Sequence, residues 1–491
     1  MRGAIYGLQL NKEVNYDYKT MEQCKEYEQQ YPDYRQVPRR AETRRGRKGL
    51  IIVQFLLLPF FVDGQIITSI AGNGTHSNTG DGFLAINAAI DYPGGGAIDN
   101  FGNYYFITGT GGNSVRKITP SGTIITVAGK EVAGFSGDGG PATNAKLNNP
   151  QSVAVDMIGN LYISDAANNR IRKVNIATGV ISTIAGIGTG GYNGDNIPAT
   201  DAMIWDPYGI AVDKEDNIYI ADNFNDRIRK INSSGIISTY AGTGMAGYNG
   251  DGGLADTAKL KGPEGVCVDD TGNLYIADFS NGRVRKVNLD GIIITIIGDG
   301  VFGSNGDGGL AINAQVMPQD ITIDKVGNIY IDGGDYDDRV RMINAAGVIS
   351  TIVGTGVEGF KGDNGQADSA ELYGPSGLAI DSCGNLYIAD LNNYRIRKAT
   401  FNPYCWPEKE NSVTTQCISI YPIPAYEAVN VKGVQGQTKY EILNINGIVE
   451  QSGTLKEGNN SIAIQSLPPG VYLLELMDED GEKIVKKIVK D

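Results

Sequence analysis

The chain has 491 residues, more than a single hydrophobic core usually organises, so at least two domains are expected. Glycine is abundant (67 residues) and charged residues make up 20% of the chain, which excludes a disordered chain or helical bundle and favours short strands with tight turns. The formal net charge is −14, and an acidic surface disfavours nucleic acid as a partner because phosphate binding needs a basic footprint.

An apolar run over residues 50–62 directly follows a cluster of arginine and lysine. It is shorter than the roughly 20 residues needed to span a bilayer. Its layout predicts a signal peptide over residues 50–64, cleaved before Gln65, so the mature protein is expected to lack a transmembrane span. Residues 1–49 are then an N-terminal extension or the product of a start site assigned too far upstream. A membrane anchor is the alternative for the apolar run.

The five cysteines do not form a metal-binding pattern. In an oxidising compartment Cys405 and Cys417 could close a small loop, and unpaired thiols are the equal alternative.

A Gly-Asp-Gly tripeptide, or a close variant, recurs at steps of 56 or 57 residues. Its aspartates are Asp81, Asp138, Asp195, Asp251, Asp307 and Asp363. A fixed period of this size indicates a propeller, a solenoid or another repeat array.

One repeat unit, residues 182–237, shows the parts in order. A short β run ends at Gly186, a Gly/Asn/Asp-rich stretch follows, and Pro198 begins a predicted single helical turn. Three more β runs follow, each bounded by turn residues, at 208–212, 217–221 and 227–231. Four short strands make one propeller blade, and no segment is long enough for the crossover helix of a parallel α/β fold.

The two ends of the repeat region predict a closed ring. The sixth unit stops after Lys398 without its fourth strand, and residues 66–72 match that missing strand. Pairing the first strand with the last blade leaves no exposed sheet edge. We therefore expect six four-stranded blades over residues 65–400, in an all-β chain.

Three repeated phrases resemble the NHL repeat, and they recur in phase over about residues 66–400. They are Gly209-Ile-Ala-Val-Asp213; Asn217-Ile-Tyr-Ile-Ala-Asp222 with its counterparts at 160–165 and 385–390; and Asn225-Asp-Arg-Ile-Arg229 with its counterparts at 169–172 and 393–397. The resemblance implies a six-bladed β-propeller, and members of this family mostly serve as binding or scaffolding surfaces.

Residues 418–491 change character, with less glycine and alternating β runs. The segment opens on Tyr421-Pro-Ile-Pro424, contains Gly470-Val-Tyr472, and ends on a basic strand. It resembles the type A sorting domain of the Bacteroidetes type IX secretion system, although Ile423 stands where that family usually has Asn. The resemblance implies a small Ig-like β-sandwich that engages the type IX machinery, with residues 401–417 as the linker and the protein secreted or at the outer-membrane surface.

The long loop before each blade and the turn between its second and third strands should emerge at the same end of the propeller. That end would collect the Gly-Asp-Gly aspartates and a second set of aspartates, each five residues before an arginine. These pairs are Asp165/Arg170, Asp222/Arg227, Asp278/Arg283 and Asp390/Arg395. We expect structural turn pairs, with a ring of ligand contacts as the alternative. Units one and five depart from the pattern. Thr108 and Ser114 occupy the aligned positions in the first, and the fifth has an extra residue within Asp332-Gly-Gly-Asp335.

Candidates for a binding face are the Gly-Asp-Gly aspartates and a recurring set of aromatic residues in the same loops. These aromatics are Phe135, Tyr192, Tyr248, Phe302 and Phe360. We expect each ring to tuck under its own loop, and an exposed ring of platforms for sugar stacking is the alternative. No cofactor is expected, because one Asp per loop supplies too few ligands for Ca²⁺, which is kept as a weaker alternative.

The sequence favours a non-catalytic propeller that binds a protein or carbohydrate through its acidic loop-rich face. The chain has one histidine, His76, whereas propeller lyases depend on several. The alternative is a metal-dependent, lactonase-like hydrolase or lyase, with Glu131, Glu264 and Glu358 as candidate ligands. No nucleophile elbow or phosphate-binding loop is present.

Overall fold

A computed structural model describes most of the chain beyond the predicted signal peptide. The described residues are 65–109, 111–401, 419–421, 428–434, 437–444, 448–468, 470–477 and 483–490. The predicted extension (1–49) and signal segment (50–64), together with Cys405 and Cys417, lie outside these ranges. Cys383 is disulfide-bonded.

Residues 65–401 form six antiparallel blades, and the first strand of the region, β1 (Ile66–Ala71), belongs to the last of them. Blade 1 contains β2 (Pro93–Ile98), β3 (Tyr104–Thr108), β4 (Ser114–Ile118) and β5 (Ile124–Gly129). Blade 2 contains β6 (Ser152–Val155), β7 (Leu161–Asp165), β8 (Arg170–Asn175) and β9 (Val180–Ala185). Blade 3 contains β10 (Ile197–Pro198), β11 (Pro207–Val212), β12 (Ile218–Asp222), β13 (Arg227–Ile231) and β14 (Ile236–Ala241).

The remaining three blades repeat this order. Blade 4 contains β15 (Val266–Val268), β16 (Leu274–Asp278), β17 (Arg283–Val287) and β18 (Ile293–Ile297). Blade 5 contains β19 (Ile321–Ile323), β20 (Ile329–Asp332), β21 (Val340–Ile343) and β22 (Ile349–Val353). Blade 6 contains β23 (Gly365–Gln366), β24 (Pro375–Ile380), β25 (Leu386–Asp390) and β26 (Arg395–Thr400), completed by β1.

The predicted ring closure is confirmed. Strand β1 pairs antiparallel with β26, with Ile66 opposite Thr400 and Ile67 opposite Ala399. Counted outward from the channel, the first strands of the six blades are β2, β6, β11, β15, β19 and β24. Each contacts the next, and β24 contacts β2, so these six strands surround a central channel. The expectation of an all-β, six-bladed propeller is therefore correct.

The core consists of apolar layers between neighbouring blades. The second strand of most blades is buried on both faces, as in β12, because it is covered by a blade on each side. In one such layer Tyr162 and Ile171 of blade 2 pack against Ile210, Ile220 and Ile237 of blade 3. Each blade therefore depends on its neighbours to bury its apolar surface.

Short 3-10 turns occur in the loops between blades and in the turns between the second and third strands of the blades. The predicted helical turn after Pro198 is one of these, and its Ala199 and Ala202 are buried. The turns are Ala85–Asn87, Ala142–Asn144, Ala166–Asn168, Ala199–Asp201, Asn223–Asn225, Ala255–Thr257, Phe279–Asn281, Ala311–Asn313, Gly334–Tyr336, Ala367–Ser369 and Leu391–Asn393.

The C-terminal part is a separate β-sandwich of Ig-like type, as expected. One sheet contains β27 (Ser419–Tyr421), β28 (Ala428–Val434) and β31 (Gly458–Ala463). The other contains β29 (Thr438–Asn444), β30 (Val449–Leu455), β32 (Gly470–Met477) and β33 (Lys483–Lys490). Its core includes Val429, Val431, Ile442, Leu474 and Ile488, contributed by both sheets.

Candidate binding face

One end of the propeller carries the long inter-blade loops and the turns between the second and third strands of each blade; we call this end the loop face. In blade 3 the two kinds of segment are joined directly. The Nδ2 group of Asn225, in the strand turn, donates to the Gly191 carbonyl of the preceding long loop at 2.7 Å. The equivalent asparagines of blades 2, 4 and 6 make the same contact. The expected meeting of these segments at one face is confirmed.

A buried arginine lies beneath each long loop, and sequence reasoning did not identify it. These side chains are exposed by 2% or less, and each binds the Gly-Asp-Gly aspartate of its blade. The pairs are Arg116–Asp81 (2.6 Å), Arg172–Asp138 (2.8 Å), Arg229–Asp195 (3.0 Å), Arg285–Asp251 (2.7 Å), Arg341–Asp307 (2.5 Å) and Arg397–Asp363 (2.8 Å). All six Gly-Asp-Gly aspartates are therefore paired with buried arginines, although their carboxylates remain partly exposed.

The second set of aspartates was predicted to pair with the arginine five residues later, and that partner was wrong. Asp165 lies opposite Arg170 in the strand register, but its ion pair is with Arg172, at 3.2 Å. The Arg170 guanidinium instead donates to the Asn168 and Ile187 carbonyls. Arg172, two residues deeper along the strand, extends back toward the turn and so reaches both Asp165 and Asp138.

The same exchange of partners occurs in blades 3, 4 and 6. The observed pairs are Asp222–Arg229 (3.6 Å), Asp278–Arg285 (3.5 Å) and Asp390–Arg397 (3.2 Å), while Arg227, Arg283 and Arg395 bind loop carbonyls. Burial raises the pKa of Asp222, Asp278 and Asp390 to about 6, and the neighbouring guanidinium and amide groups oppose that rise.

Blades 1 and 5 lack the aspartate–arginine pair of the strand turn, and the contacts found there differ between the two blades. In blade 1 the Thr108 and Ser114 hydroxyls bond each other at 2.7 Å in place of the ion pair. In blade 5 Gly333 stands where the other blades have the paired aspartate, and Asp332, which lies at the Ala221 position opposite Val340, accepts the Asp320 N–H at 2.8 Å with its Oδ1. Blade 5 thus leaves a buried carboxyl without a cation.

Four of the five predicted aromatic candidates are stacked on arginine side chains within their own blades. The ring centroids of Phe135, Tyr192, Tyr248 and Phe360 lie 3.8–3.9 Å from the guanidinium carbons of Arg170, Arg227, Arg283 and Arg395. Each ring therefore has an arginine stacked on one face by a cation–π contact, but all four residues remain 37–43% exposed and are not buried beneath their loops. Phe302 differs because it lies five residues before Asp307, whereas the other four lie three residues before their aspartates.

A different set of aromatic side chains forms exposed clusters on the loop face. Trp205 and Phe224 meet edge to face at 5.5 Å and are 46% and 59% exposed. Phe279 lies between Phe302 (5.9 Å) and Tyr336 (6.5 Å), and Tyr336 is 71% exposed. Phe302 was one of the predicted aromatic candidates. The other four residues vary from blade to blade, so the search for repeated residues did not identify them, and their signal was the departure from the repeat.

A third aromatic cluster lies where blade 6 meets blade 1 and contains His76. The rings of His76, Tyr92 and Tyr394 lie 4.8–5.4 Å apart, and His76 Nε2 is 2.5 Å from Asp91 Oδ1. Tyr394 has a φ of +53° and Tyr92 a φ of +35°, a conformation that bulky residues rarely adopt. Burial raises the pKa of Asp91, and His76 opposes the rise.

The central channel opens on the loop face through one residue from each blade: Gly94, Gln151, Tyr208, Glu264, Gln319 and Ser376, here called the mouth ring. Most of these side chains, with Gly95, Gly209, Gly265 and Asp320, line a cavity of about 40 Å³. Burial raises the pKa of Glu264 to about 8, with further contributions from the carboxylates of Asp320 and Asp206. Of the three predicted glutamate candidates, Glu264 alone reaches the mouth ring, and Glu131 and Glu358 are exposed in long loops.

Within the described ranges, no three His, Cys, Asp or Glu side chains are arranged to hold a metal ion. The same part of the chain contains no helix long and apolar enough to cross a membrane.

The fold and its site define a closed six-bladed β-propeller with an arginine-supported loop face, followed by an Ig-like domain. Residues 132–192, 188–249 and 244–305 match the Teneurin NHL domain model, residues 372–399 match the NHL repeat, and residues 419–491 match the secretion system C-terminal sorting domain. The chain is thus an NHL-repeat propeller with a type IX sorting domain, which marks a secreted or cell-surface protein.

Curated relatives share the repeat region at modest identity. The chain is 27% identical to Protein SUPPRESSOR OF QUENCHING 1, chloroplastic, of Arabidopsis thaliana (78% of this chain, 36% of that protein). It is 26% identical to NHL repeat-containing protein 2 of Bos taurus (70% and 49%) and 29% identical to Teneurin-4 of Mus musculus (58% and 11%). The chain spans less than half the length of each of these relatives.

Two solved structures share the propeller fold. A structural genomics protein of unknown function from Bacteroides thetaiotaomicron aligns with a TM-score of 0.51 at 20% identity, covering 69% of this chain and 76% of its own. An auxiliary nutrient binding protein from Bacteroides ovatus aligns with a TM-score of 0.50 at 15% identity, covering 68% and 76%. At these identities the similarity shows the fold alone.

Proposed function

We propose that this exported propeller is a non-catalytic binding protein that captures a carbohydrate through the exposed aromatic clusters of its loop face. The observation that carries the proposal is the pair of clusters Trp205/Phe224 and Phe279/Phe302/Tyr336, whose rings contact one another and, apart from the half-buried Phe279, are 46–71% exposed. The aromatics of the repeat pattern are 37–43% exposed, and each has an arginine on one face. Exposed aromatic rings suit the apolar C–H surfaces of sugar rings.

The surroundings of these rings fit a neutral, hydroxyl-rich ligand better than an anionic one. The loop face carries the partly exposed carboxylates of the Gly-Asp-Gly aspartates, such as Asp195 and Asp251, which can accept hydrogen bonds from hydroxyl groups. Their arginine partners are buried and therefore do not offer a positive surface to an acidic ligand. A rigid ring of blades holds the loops in place, as binding loops require.

The proposal is tested by presenting the purified exported chain to an array of polysaccharides and proteins. A double variant, Trp205→Ala with Phe224→Ala, removes one cluster. Phe101→Ala is the matched control, because Phe101 is similarly exposed (51%) in a β2–β3 turn at the opposite end of the propeller. We expect wild type and the control to retain at least one polysaccharide and the double variant to bind it at least tenfold more weakly. Retention of proteins only, or equal loss in both variants, would contradict the proposal.

A further inference from the structure

Cys383 is disulfide-bonded, whereas Cys267, the other cysteine of the described ranges, carries a free thiol. The partner of Cys383 is therefore one of the three remaining cysteines of the chain, Cys24, Cys405 or Cys417. Cys24 precedes the predicted signal segment, so the exported chain is expected to offer only the two cysteines of the linker between the propeller and the sorting domain.

Cys383 lies in the turn between β24 and β25, at a position where blades 1 to 5 have no cysteine. The equivalent residues of those blades are Phe101, Ile158, Glu215, Thr271 and Val326. Because these five side chains share no chemical property, the turn itself does not require a particular residue at this position. The cysteine occurs only in blade 6, the blade that the linker follows directly.

The turn that holds Cys383 and the start of the linker lie at the same end of blade 6. Strand β26 begins at the turn on the loop face and runs to the opposite end of the propeller, here called the base. Leu386, three residues after the cysteine, pairs with Ala399 near the end of β26. Lys398 Nζ also lies 3.6 Å from Asp381 Oδ2 at this end. Neighbouring strands are about 5 Å apart, so the chain leaves β26 close to the cysteine turn.

This geometry favours Cys405 over Cys417 as the partner. Cys405 lies four residues after Phe401, and an extended chain covers at most about 14 Å in four residues. A disulfide needs Cα atoms within about 7 Å of each other, which a segment of this length achieves from the end of β26. Cys417 lies sixteen residues after Phe401, and for a flexible chain the longer segment meets Cys383 about eightfold less often.

We propose that Cys383 and Cys405 form a disulfide that anchors the start of the linker to the base of blade 6. Its formation joins the two sulfur atoms and breaks both S–H bonds. The two protons and two electrons pass to an oxidant of the disulfide class, which is reduced to two thiols. The sorting domain marks a secreted or cell-surface protein, and oxidising surroundings keep such a bond closed. The bridge uses Cys405 and so excludes the small loop between Cys405 and Cys417.

The anchor fixes the point at which the linker leaves the propeller, on the side away from the loop face. It also fastens the end of β26, the strand with which β1 pairs to close the ring, to the neighbouring turn. A cross-link of this kind stabilises a fold chiefly by restricting the unfolded chain. Opening the bridge should therefore lower the melting temperature. The anchor does not rest on the carbohydrate proposal.

Peptide mapping of the purified exported chain tests the bridge directly. Free thiols are alkylated under denaturing conditions, and the chain is then digested with trypsin without reduction. Trypsin places Cys383 on residues 362–395, Cys405 on 399–409 and Cys417 on 410–432. We expect the first two peptides to be joined and the third to be alkylated. A link from residues 362–395 to any other peptide, an alkylated Cys383, or a disulfide-linked dimer on non-reducing electrophoresis would overturn the proposal.

Two serine variants separate the linker cysteines, while the peptide map of wild type depends on the folding of neither. Cys405→Ser should lower the melting temperature and leave Cys383, which is partly exposed, reactive toward a maleimide in the native chain. Dithiothreitol should lower the melting temperature of wild type to the same value and leave that of this variant unchanged. Cys417→Ser is the matched control and should behave as wild type. An unreactive Cys383 in Cys405→Ser, or a reactive one in Cys417→Ser, would contradict the proposal.

Discussion

At the residue scale, one buried guanidinium in each of blades 2, 3, 4 and 6 binds two carboxylates, one from the long loop and one from the strand turn. Arg229 is fully buried and lies between Asp195 of the long loop and Asp222 of the strand turn. Taking charged groups out of water is costly, and their mutual attraction offsets that cost only when both partners are present. The arginine is therefore a structural support that holds the loop face in shape.

Replacing this arginine should destabilise the propeller strongly. Arg229→Met keeps the length of the side chain but leaves Asp222 buried without a cation, so we expect a loss of about 3–5 kcal/mol in the free energy of unfolding. Chemical denaturation of the purified chain measures it. Arg227→Met is the control, because Arg227 stacks on Tyr192 and binds carbonyls at a partly exposed site, and should cost about 1 kcal/mol. Equal effects would show that Arg229 has no special role.

The ionisation of Glu264 gives a second prediction at this scale. Its pKa is raised from 4.5 to about 8 in the folded chain, so the folded state favours the protonated carboxyl. Between these two pKa values the carboxyl is ionised in the unfolded chain but still protonated in the folded chain. The free energy of unfolding therefore falls as the pH rises from 4.5 to about 8.

Glu264→Gln removes this dependence because glutamine does not titrate. The free energy of unfolding of wild type, relative to the variant, should therefore fall between about pH 4.5 and pH 8 and level off above, by a few kcal/mol as an order of magnitude. Urea denaturation of both proteins at pH 5, 7 and 9 measures the difference. Parallel pH profiles would mean that Glu264 keeps an ordinary pKa.

At the scale of elements, strand β1 completes blade 6 and so joins the start of the repeat region to its end. Ile67 of this strand is fully buried and belongs to the apolar layer between blades 5 and 6. Its neighbour Ile66 points the other way and is 44% exposed. Substitutions at the two positions therefore distinguish the contribution of ring closure to stability from the contribution of local strand propensity.

Ile67→Ala should cost about 2–5 kcal/mol, because it leaves a cavity in the closing layer. Ile66→Ala removes the same atoms from an exposed position and should cost less than about 1 kcal/mol. Thermal denaturation and limited proteolysis at the ring closure report the change. If both variants behaved alike, β1 would not be integrated into the ring as described.

The blades could be predicted from the sequence because their signals are local and repeated. Turn residues and β runs recur in phase, and the missing fourth strand of the last unit matches residues 66–72, so the period and the closure followed directly. The helical turn after Pro198 was also predictable, since proline and small apolar residues define it.

The correct ion pairs could not be read from spacing alone. Asp165 and Arg170 are opposite each other in the register, but the reach and direction of a long arginine side chain decide which carboxylate it binds. Trp205, Phe224 and Asp320 were missed for a related reason. These residues occur once, so a search for repetition passes over them, although their departure from the repeat was itself visible.

At the scale of the whole molecule, the repeat and the departures from it have different roles. The repeated residues build blades and fasten loops, as Asp213 does when it accepts the N–H groups of Glu215 and Asn217 at the end opposite the loop face. Residues that differ between blades collect on the loop face and at the channel mouth. The sorting domain at residues 419–491 marks the protein as secreted or cell-surface.

The measurement that tests the binding account most directly uses the fluorescence of Trp205, one of two tryptophans in the chain. A Trp406→Phe variant leaves Trp205 as the single reporter on the loop face. We predict that titration with soluble polysaccharides (mixed-linkage β-glucan, mannan, xylan, starch and pectin) shifts or quenches its emission saturably for at least one. The change should be lost on Phe224→Ala and retained on Phe101→Ala. Unchanged Trp205 emission with every polysaccharide would contradict the account.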